Sequence, residues 1–392
     1  MWFSARGART GRIVVEGLRT IDVLGGGPAG LYAATLLKGD HPGARVRVLE
    51  RNPRGATFGF GVVFSSQALD FLRADDPGTH DLLAPHMERW RDMTLVHRGE
   101  EVVIDGIGFA AIGRLHLIEL LTRRAEEAGV EIRFGHAVAD PAALEADLVV
   151  GADGLHSLVR RSDEAAFRPR WSEFGNRFAW FGTDRPFDML TQTFVATDHG
   201  AMNAHHYRYA PAMSTFIVEC DAATYRAAGF ARMDEAETAR ACEAAFADAL
   251  GGHRLIANRS LWRRFPRMWC ERWVSGNRAL VGDAAHTAHF SVGSGTRLAM
   301  EDAIALARAL READALEAGL AAYEAARLPV ARKIVEAANT SAEWYETFPD
   351  KMRLAPLEFG FDYVTRSGRV DMERLRRLSP GFMAAYDARA AA

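Results

Sequence analysis

Cysteine is scarce. Cys220, Cys242 and Cys270 are the only three in 392 residues, and no two of them are two residues apart. That excludes a zinc ribbon, a disulfide framework and a thioredoxin-like redox motif, so no metal site is expected. Free thiols suit a reducing, cytoplasmic setting. Lysine is nearly missing as well: Lys38, Lys333 and Lys351 stand among 48 basic residues, a bias of composition before one of function. There is no excess of charge, since 48 basic residues meet 51 acidic ones for a net −3. Partnership with nucleic acid or an anionic membrane surface is therefore not expected. No apolar run approaches the roughly 20 residues of a spanning helix. Residues 1–20 carry Arg6, Arg9, Arg12 and Arg19 against Glu16. They are read as a disordered tail or an over-long start in preference to a transit peptide.

What remains is an ordinary globular balance, 48% hydrophobic and 25% charged, in a chain long enough for two or three domains. The first element is the apolar strand Ile21 to Leu24. A glycine turn follows, then a helix from Leu31 to Lys38 and a second strand from Arg45 to Leu49, which together make a βαβ unit. Arg114 to Ala128 reads as a helix with Leu115, Ile118, Leu121 and Ala125 on one face. Val130 to Phe134 and Asp147 to Val150 are further strands of the same sheet. The texture then changes. Phe178 to Gly182, Gln192 to Ala196, His205 to Tyr209 and Thr215 to Val218 are short aromatic and β-branched segments that predict an antiparallel sheet. Helices are expected at Asp234 to Leu250, Leu298 to Leu310 and Leu316 to Glu336, with a strand at Ala279 to Val281 between the first two.

Three motifs carry chemistry. In Gly25-Gly26-Gly27-Pro28-Ala29-Gly30, Gly25 permits the turn, Gly27 opens the backbone to a pyrophosphate and Gly30 allows close helix–strand packing. Glu50, 20 residues beyond Gly30 with Arg51 beside it, is placed to accept ribose hydroxyls. The run from Gly106 to Gly113 is out of phase and is read as a loop, leaving one dinucleotide motif. The second motif spans Gly151 to Arg160. It sets Asp153 and Gly154 at a strand's carboxyl end, where Asp153 also suits a helix N-cap. The third is Gly282-Asp283-Ala284-Ala285-His286, running on through His289, Gly293, Ser294, Gly295 and Thr296 into a helix. A short acid can take bonds from polyol hydroxyls, and the glycines let backbone lie against a flat ring.

In order and spacing these motifs resemble the single-component (class A) flavoprotein aromatic hydroxylases, from Ile21 to about Trp344. Phe58 to Ser65, Ser214 to Glu219 and His289 to Thr296 further resemble the subgroup acting on salicylyl-CoA, 2-aminobenzoyl-CoA and a violacein-pathway tryptophan derivative. His289-Phe290 replaces the two prolines usual in the wider family, and Arg297 stands where asparagine is common.

The resemblance implies an α/β fold: a Rossmann-type FAD-binding domain (GR2-like) with an inserted antiparallel-sheet substrate domain and C-terminal helices. FAD-binding parts are expected at 21–90, 113–170 and 271–345, substrate-domain parts at 91–112 and 171–270, and a helical segment at 346–392. Gly25, Gly27, Pro28, Ala29, Gly30, Glu50 and Arg51 would hold the ADP half of FAD. Arg114, Asp153, Gly154, Gly282, Asp283, Gly293, Ser294, Gly295 and Thr296 would hold the rest. The implied reaction uses NADH or NADPH and dioxygen, by way of a flavin hydroperoxide, to hydroxylate a small aromatic substrate, with a CoA thioester among the candidates. An oxidase or reductase without oxygen insertion is the alternative. His205 and His289 are the candidate catalytic residues. Strand alternation sends His205 and His206 to opposite faces, and His205 is chosen to face the substrate. A monomer or homodimer is expected.

Overall fold

The computed structural model describes residues 15, 17–57, 59–65 and 68–390. Most of the expected tail, and Phe58 of the Phe58–Ser65 segment, lie outside the described residues.

Thr20–Leu24 and Arg45–Glu50 bury Ile21, Val23, Val46 and Val48 and pair in parallel, Ile21 opposite Val46. They are central strands of a six-stranded sheet. Its spatial order is Val274–Ser275, Arg278–Leu280, Leu148–Gly151, Thr20–Leu24, Arg45–Glu50, Glu131–Phe134. All neighbours are parallel except the pair at the Val274 edge. Five strands therefore end along one border, and residues at those ends, Leu24, Glu50, Phe134, Ala152 and Val281, face a common crevice. An open α/β sheet binds ligands at this border.

The helix Pro28–Asp40 starts on Pro28 with Gly27 as N-cap and no side chain capping it, so its first N–H groups stay free. It packs against both the Gly295–Arg311 and Arg114–Glu127 helices. The latter turns a different face inward from the one expected: Leu117, Leu120, Leu121, Thr122 and Ala125 are buried, while Leu115 is 37% exposed. Two stripes overlap in that sequence, and packing against Pro28–Asp40 selects the one through Leu117, Leu121 and Ala125.

The Gly106–Gly113 run is not wholly a loop. Phe109–Gly113 is a strand that pairs with Gly61–Ser65 on one side and Glu88–Trp90 on the other. Its glycines mask the buried Ala110-Ala111-Ile112 core.

A sheet of eight strands carries the aromatic segments, which are longer than expected: Pro169–Thr183, Leu190–Thr197, Gly200–Ala210 and Met213–Cys220. Polar residues such as Asn176, Gln192 and Asn203 continue these strands because they find partners inside. Met93–His97 and Glu100–Ile104 extend the sheet at one edge. Met93–His97 joins Leu190–Thr197 in parallel, so the sheet is not purely antiparallel. The predicted Asp234–Leu250 helix breaks at Phe246 into Glu235–Ala245 and Ala247–Leu250, with Asp234 and Glu237 forming a capping box.

The last long helix, Leu316–Lys351, runs 36 residues through Pro329, well past the expected end at Glu336. Ala337, Ala338, Ser341, Trp344, Tyr345 and Phe348 continue its buried stripe. Pro356–Thr365, Met372–Leu378 and Pro380–Ala390 then fold back. The first and last of these pack on the Met93–Ile104 hairpin. Among the described residues no helix is long and apolar enough to cross a membrane.

Candidate active site

A cavity of about 620 Å³ follows the strand-end crevice and continues under the large sheet. Gly25, Gly27, Pro28 and Ala29 open it. Gly25 has φ +105°, and a Cβ there would lie 2.3 Å from the carbonyl oxygen of Ala152, so only glycine makes this turn. A Cβ on Gly27 would meet nothing within 4 Å, and the backbone is bare toward the cavity. Gly30 does not border the cavity. Its role is packing, since a Cβ would sit 1.9 Å from the Gly25 carbonyl oxygen. A helix N-terminus with free N–H groups now faces an open crevice, the arrangement that binds a pyrophosphate.

Glu50 is already oriented. One carboxylate oxygen accepts from Gly26 N–H at 2.6 Å, and the other accepts from the Asn52 backbone and side chain at 2.7 and 2.6 Å. Its carboxylate lines the cavity beside the turn. Arg51 lines the same stretch.

Across the crevice Asp153 accepts from Leu158 N–H at 2.6 Å through Oδ2, while its buried Oδ1 has no partner among the described residues. Burial raises its pKa, and the hydroxyl of Ser157 and the turn N–H groups oppose the rise. Gly154 lies beside it. Arg114 enters from the start of its helix and has no side-chain hydrogen bond among the described residues. Burial lowers its pKa, and the charge of Asp283 works the other way. Asp283 is exposed to the cavity; desolvation by the surrounding chain raises its pKa, countered by His286 and Arg114. An orphaned buried carboxylate oxygen, a half-buried guanidinium without a hydrogen bond and a second, exposed acid are grouped on one stretch of the cavity and suit a polar ligand between them. Such unpaired groups are otherwise costly to bury.

The Asp283 turn is held from behind. Asp302, fully buried, accepts from Gly282 N–H at 2.9 Å, His286 Nε2 at 2.8 Å and Arg327 Nε at 2.6 Å. Arg327 also pairs with Glu301 at 2.8 Å. His286 and Arg327 hold the Asp302 carboxyl below its usual range despite its burial. Gly282 lies behind the lining, where a Cβ would come within 2.9 Å of Ala299 Cβ. Gly293, Ser294, Gly295 and Thr296 line the cavity opposite. Gly293 has φ +60° and turns the chain past Val63. Arg327 had no sequence signal: it lies on a helix whose apolar stripe hides it.

The same cavity has an aromatic chamber lined by Trp180, Tyr207, Phe265, Phe290 and Tyr363, together with Gln192 and His205. His205 faces this side. His206 faces the other, stacked on Phe216 with centroids 5.1 Å apart and bonded to Thr193 at 2.9 Å. The His205 ring is tied at both nitrogens. Nδ1 meets Gln192 Nε2 at 3.0 Å, and Nε2 meets Glu219 Oε2 at 3.4 Å. With Gln192 donating to Nδ1, the neutral ring donates its Nε2 proton to Glu219. Asn176 donates to Glu219 at 2.9 Å, and Tyr345 bonds both Gln192 at 3.3 Å and Tyr363 at 3.1 Å. Burial pushes His205 down to about 3 and raises Glu219. Asn176, Glu219 and Tyr345 escape sequence reasoning because each comes from a different element. His289, expected at the substrate, does not line the cavity. It lies behind Phe290, wedged edge-on between Phe174 and Phe265, and its Nδ1 accepts from Ser291 N–H at 3.3 Å. Burial pushes it down to about 4. The short turn Phe290–Val292 swings its side chain into the core.

Fold and site together define a flavoprotein fold in which the Gly25–Ala29 turn and the Gly293–Thr296 loop share one groove with an aromatic chamber. Residues 19–338 match the family described as "FAD binding domain". Relatives include a salicyloyl-CoA 5-hydroxylase of a Streptomyces species, 42% identical over 88% of this chain and 69% of its own. A 3-hydroxy-4-methyl-anthranilyl-[aryl-carrier protein] 5-monooxygenase of Streptosporangium sibiricum is 38% identical over 90% and 95%. Protodeoxyviolaceinate monooxygenase of Chromobacterium violaceum is 32% identical over 86% and 91%. Among solved structures, a 2-methyl-3-hydroxypyridine-5-carboxylic acid oxygenase superposes with TM-score 0.68 at 22% identity over 92% of this chain and 96% of that one. PqsL of Pseudomonas aeruginosa, solved with 2-aminobenzoylacetate, gives 0.65 at 24% over 84% and 97%. The chain belongs to the FAD-binding-domain family, and within it to the class A flavin monooxygenases.

Proposed function

We propose that the protein hydroxylates an electron-rich aromatic ring, using FAD, NADH or NADPH, and dioxygen. The observation that carries this reading is the single cavity joining the Gly25–Ala29 turn, through Asp153, Asp283 and Gly293, to the chamber walled by Trp180, Phe265 and Phe290. Bound FAD supplies hydride acceptance and oxygen activation. This chain's residues bind it, orient the ring and exclude water.

The Gly25–Ala29 turn, backed by Gly30, takes the pyrophosphate, and Glu50 and Arg51 the adenosine side. Asp153, with its free Oδ1, and Asp283 take donors from the polyol, and Arg114 a polar edge between them. The Gly293–Thr296 backbone lies against the flat ring. The same reading divides the chain into FAD-binding parts near 21–90, 113–170 and 271–345, with 91–112 and 171–270 as the substrate part. His205 is tied to Gln192 and Glu219, so it positions the chamber wall through Gln192 and holds a neutral edge toward the ring. The apolar walls of Trp180, Phe265 and Phe290 keep water from the reacting carbon.

The test is oxygen consumption by the FAD-loaded protein with NADH or NADPH and a panel of hydroxy- and amino-substituted aromatic acids and their thioesters, with products weighed by mass spectrometry. A product heavier by one oxygen supports the reading. Peroxide in stoichiometric yield with every aromatic replaces it with an oxidase.

A further inference from the structure

The chamber wall carries a chain of buried polar groups that shape alone does not require. Asn176, Gln192, His205, Glu219, Tyr345 and Tyr363 are each at most 5% exposed. Among them Gln192, His205 and Tyr363 line the cavity.

The protons give this chain a direction. Asn176 Nδ2 donates to Glu219 Oε1 at 2.9 Å and to the Tyr345 carbonyl at 2.8 Å, so its nitrogen side is fixed toward Glu219. The other carboxylate oxygen accepts from His205 Nε2 at 3.4 Å, and His205 Nδ1 accepts from Gln192 Nε2 at 3.0 Å. That turns Gln192 Oε1 toward the Tyr345 hydroxyl at 3.3 Å. The Tyr345 hydroxyl also lies 3.1 Å from that of Tyr363, but it has one proton to give. Gln192 Oε1 brings none, and a buried amide oxygen left without a donor is costly. The Tyr345 proton therefore goes to Gln192, and Tyr363 supplies the proton of the bond between the two hydroxyls. Tyr363 is left with lone pairs only, and among the described residues no other group bonds its hydroxyl. At the far end, His289 and Asn176 favour the charged form of Glu219 against the rise that burial imposes.

We propose that the Tyr363 hydroxyl is the chamber's acceptor for an O–H or N–H group on the bound ring, and that Glu219, acting through His205, Gln192 and Tyr345, is the positioning residue that fixes this polarity. The proposal rests on the aromatic-ring reading above. The chain ends on a buried carboxylate without reaching the surface, so it holds a ring donor in place and carries no proton away.

Glu219→Gln makes the direction testable. Asn176 keeps the new amide's oxygen on its own side, which turns the amide N–H groups toward His205. Each bond then reverses, with the Gln192 amide turned over, and Tyr363 directs its proton into the chamber. A ring amine, whose lone pair is spread into the ring, then meets a second donor, whereas a ring hydroxyl can rotate and accept.

The FAD-loaded protein is titrated with 2-, 3- and 4-aminobenzamide and the matching hydroxy- and fluorobenzamides, with binding read from the flavin absorbance and no turnover required. At one ring position the amino and hydroxy ligands are expected to bind roughly tenfold tighter than the fluoro ligand, the worth of one hydrogen bond. Tyr363→Phe should lose both preferences. Glu219→Gln should lose the amino preference and keep the hydroxy one, a split that general loosening of the chamber does not produce. An amino ligand no tighter than its fluoro partner at every position, binding of none, a preference that survives in Tyr363→Phe, or an amino preference that survives in Glu219→Gln overturns the proposal. If Glu219→Gln does not fold, Tyr363→Phe still decides whether the acceptor is there. Since binding is read without catalysis, failure here is distinct from failure of ring hydroxylation in the oxygen assay.

Discussion

Replacing Asp302 by asparagine isolates what holds the third motif in place. Its carboxylate is fully buried and takes three donors: Gly282 N–H, His286 and Arg327. Breaking a buried pair from one side costs about 3–5 kcal/mol. Arg327 keeps Glu301 at 2.8 Å, and the amide retains one acceptor, so the loss belongs at the lower end, about 3 kcal/mol. For 392 residues that corresponds to a midpoint roughly 4 °C lower. The second effect is on the cofactor. Weakening the bond to Gly282 N–H frees the turn that presents Asp283, and FAD affinity should fall about tenfold, the equivalent of one charge-assisted hydrogen bond. Glu301→Gln is the control: it loosens Arg327, and with it Arg297, while leaving the bond from Gly282 N–H to Asp302 in place. Thermal unfolding of the flavin-free proteins and fluorescence titration with FAD measure the two effects. If Asp302→Asn lowers the midpoint but binds FAD as the parent does, the turn is not positioned by Asp302 and the reasoning fails.

Gly25→Ala should fold yet emerge colourless and fail to take up FAD in titration, because its Cβ would press into the Ala152 carbonyl. Arg114→Met should weaken FAD at least tenfold while the flavin-free midpoint stays level or rises, since a desolvated cation without a hydrogen bond is removed; a lower midpoint would contradict this. His206, pushed down to about 3 by burial and then by Arg185 and His205, stays neutral when folded but charges near pH 6.5 when unfolded. Stability is therefore lost as the pH falls below 6.5, by about 2 kcal/mol at pH 5. His206→Phe should remove that part of the loss in urea unfolding at the two pH values, and an identical loss would refute the assignment.

Much of the crevice at the strand ends was legible because its constraints are local. The Gly25–Gly30 turn needs particular backbone freedom, and Glu50 follows at a fixed distance along one βαβ unit. Asp153 and Asp283 could be placed because each directly follows an apolar strand. The chamber was hidden for the opposite reason. Gln192, His205, Glu219 and Tyr345 meet only through sheet register and a helix more than a hundred residues away, so spacing carries no trace of them. Alternation correctly sent His205 and His206 apart. Nothing local showed that a 3-10 turn would tuck His289 behind Phe290, or that Leu117 rather than Leu115 would face inward.

The order in which these pieces are made has a consequence for the growing chain. The dinucleotide turn and its first strands leave the ribosome early, yet Leu280 and Asp302, which finish their sheet and its support, come far later. The chamber needs Tyr345 and Tyr363 later still. A half-made chain therefore presents the open border of a partial sheet while its closing strand is unmade. Domains emerging in this way lean on chaperones or on slow translation, and this one should be most prone to aggregate while it still lacks the segment from Arg278 onward.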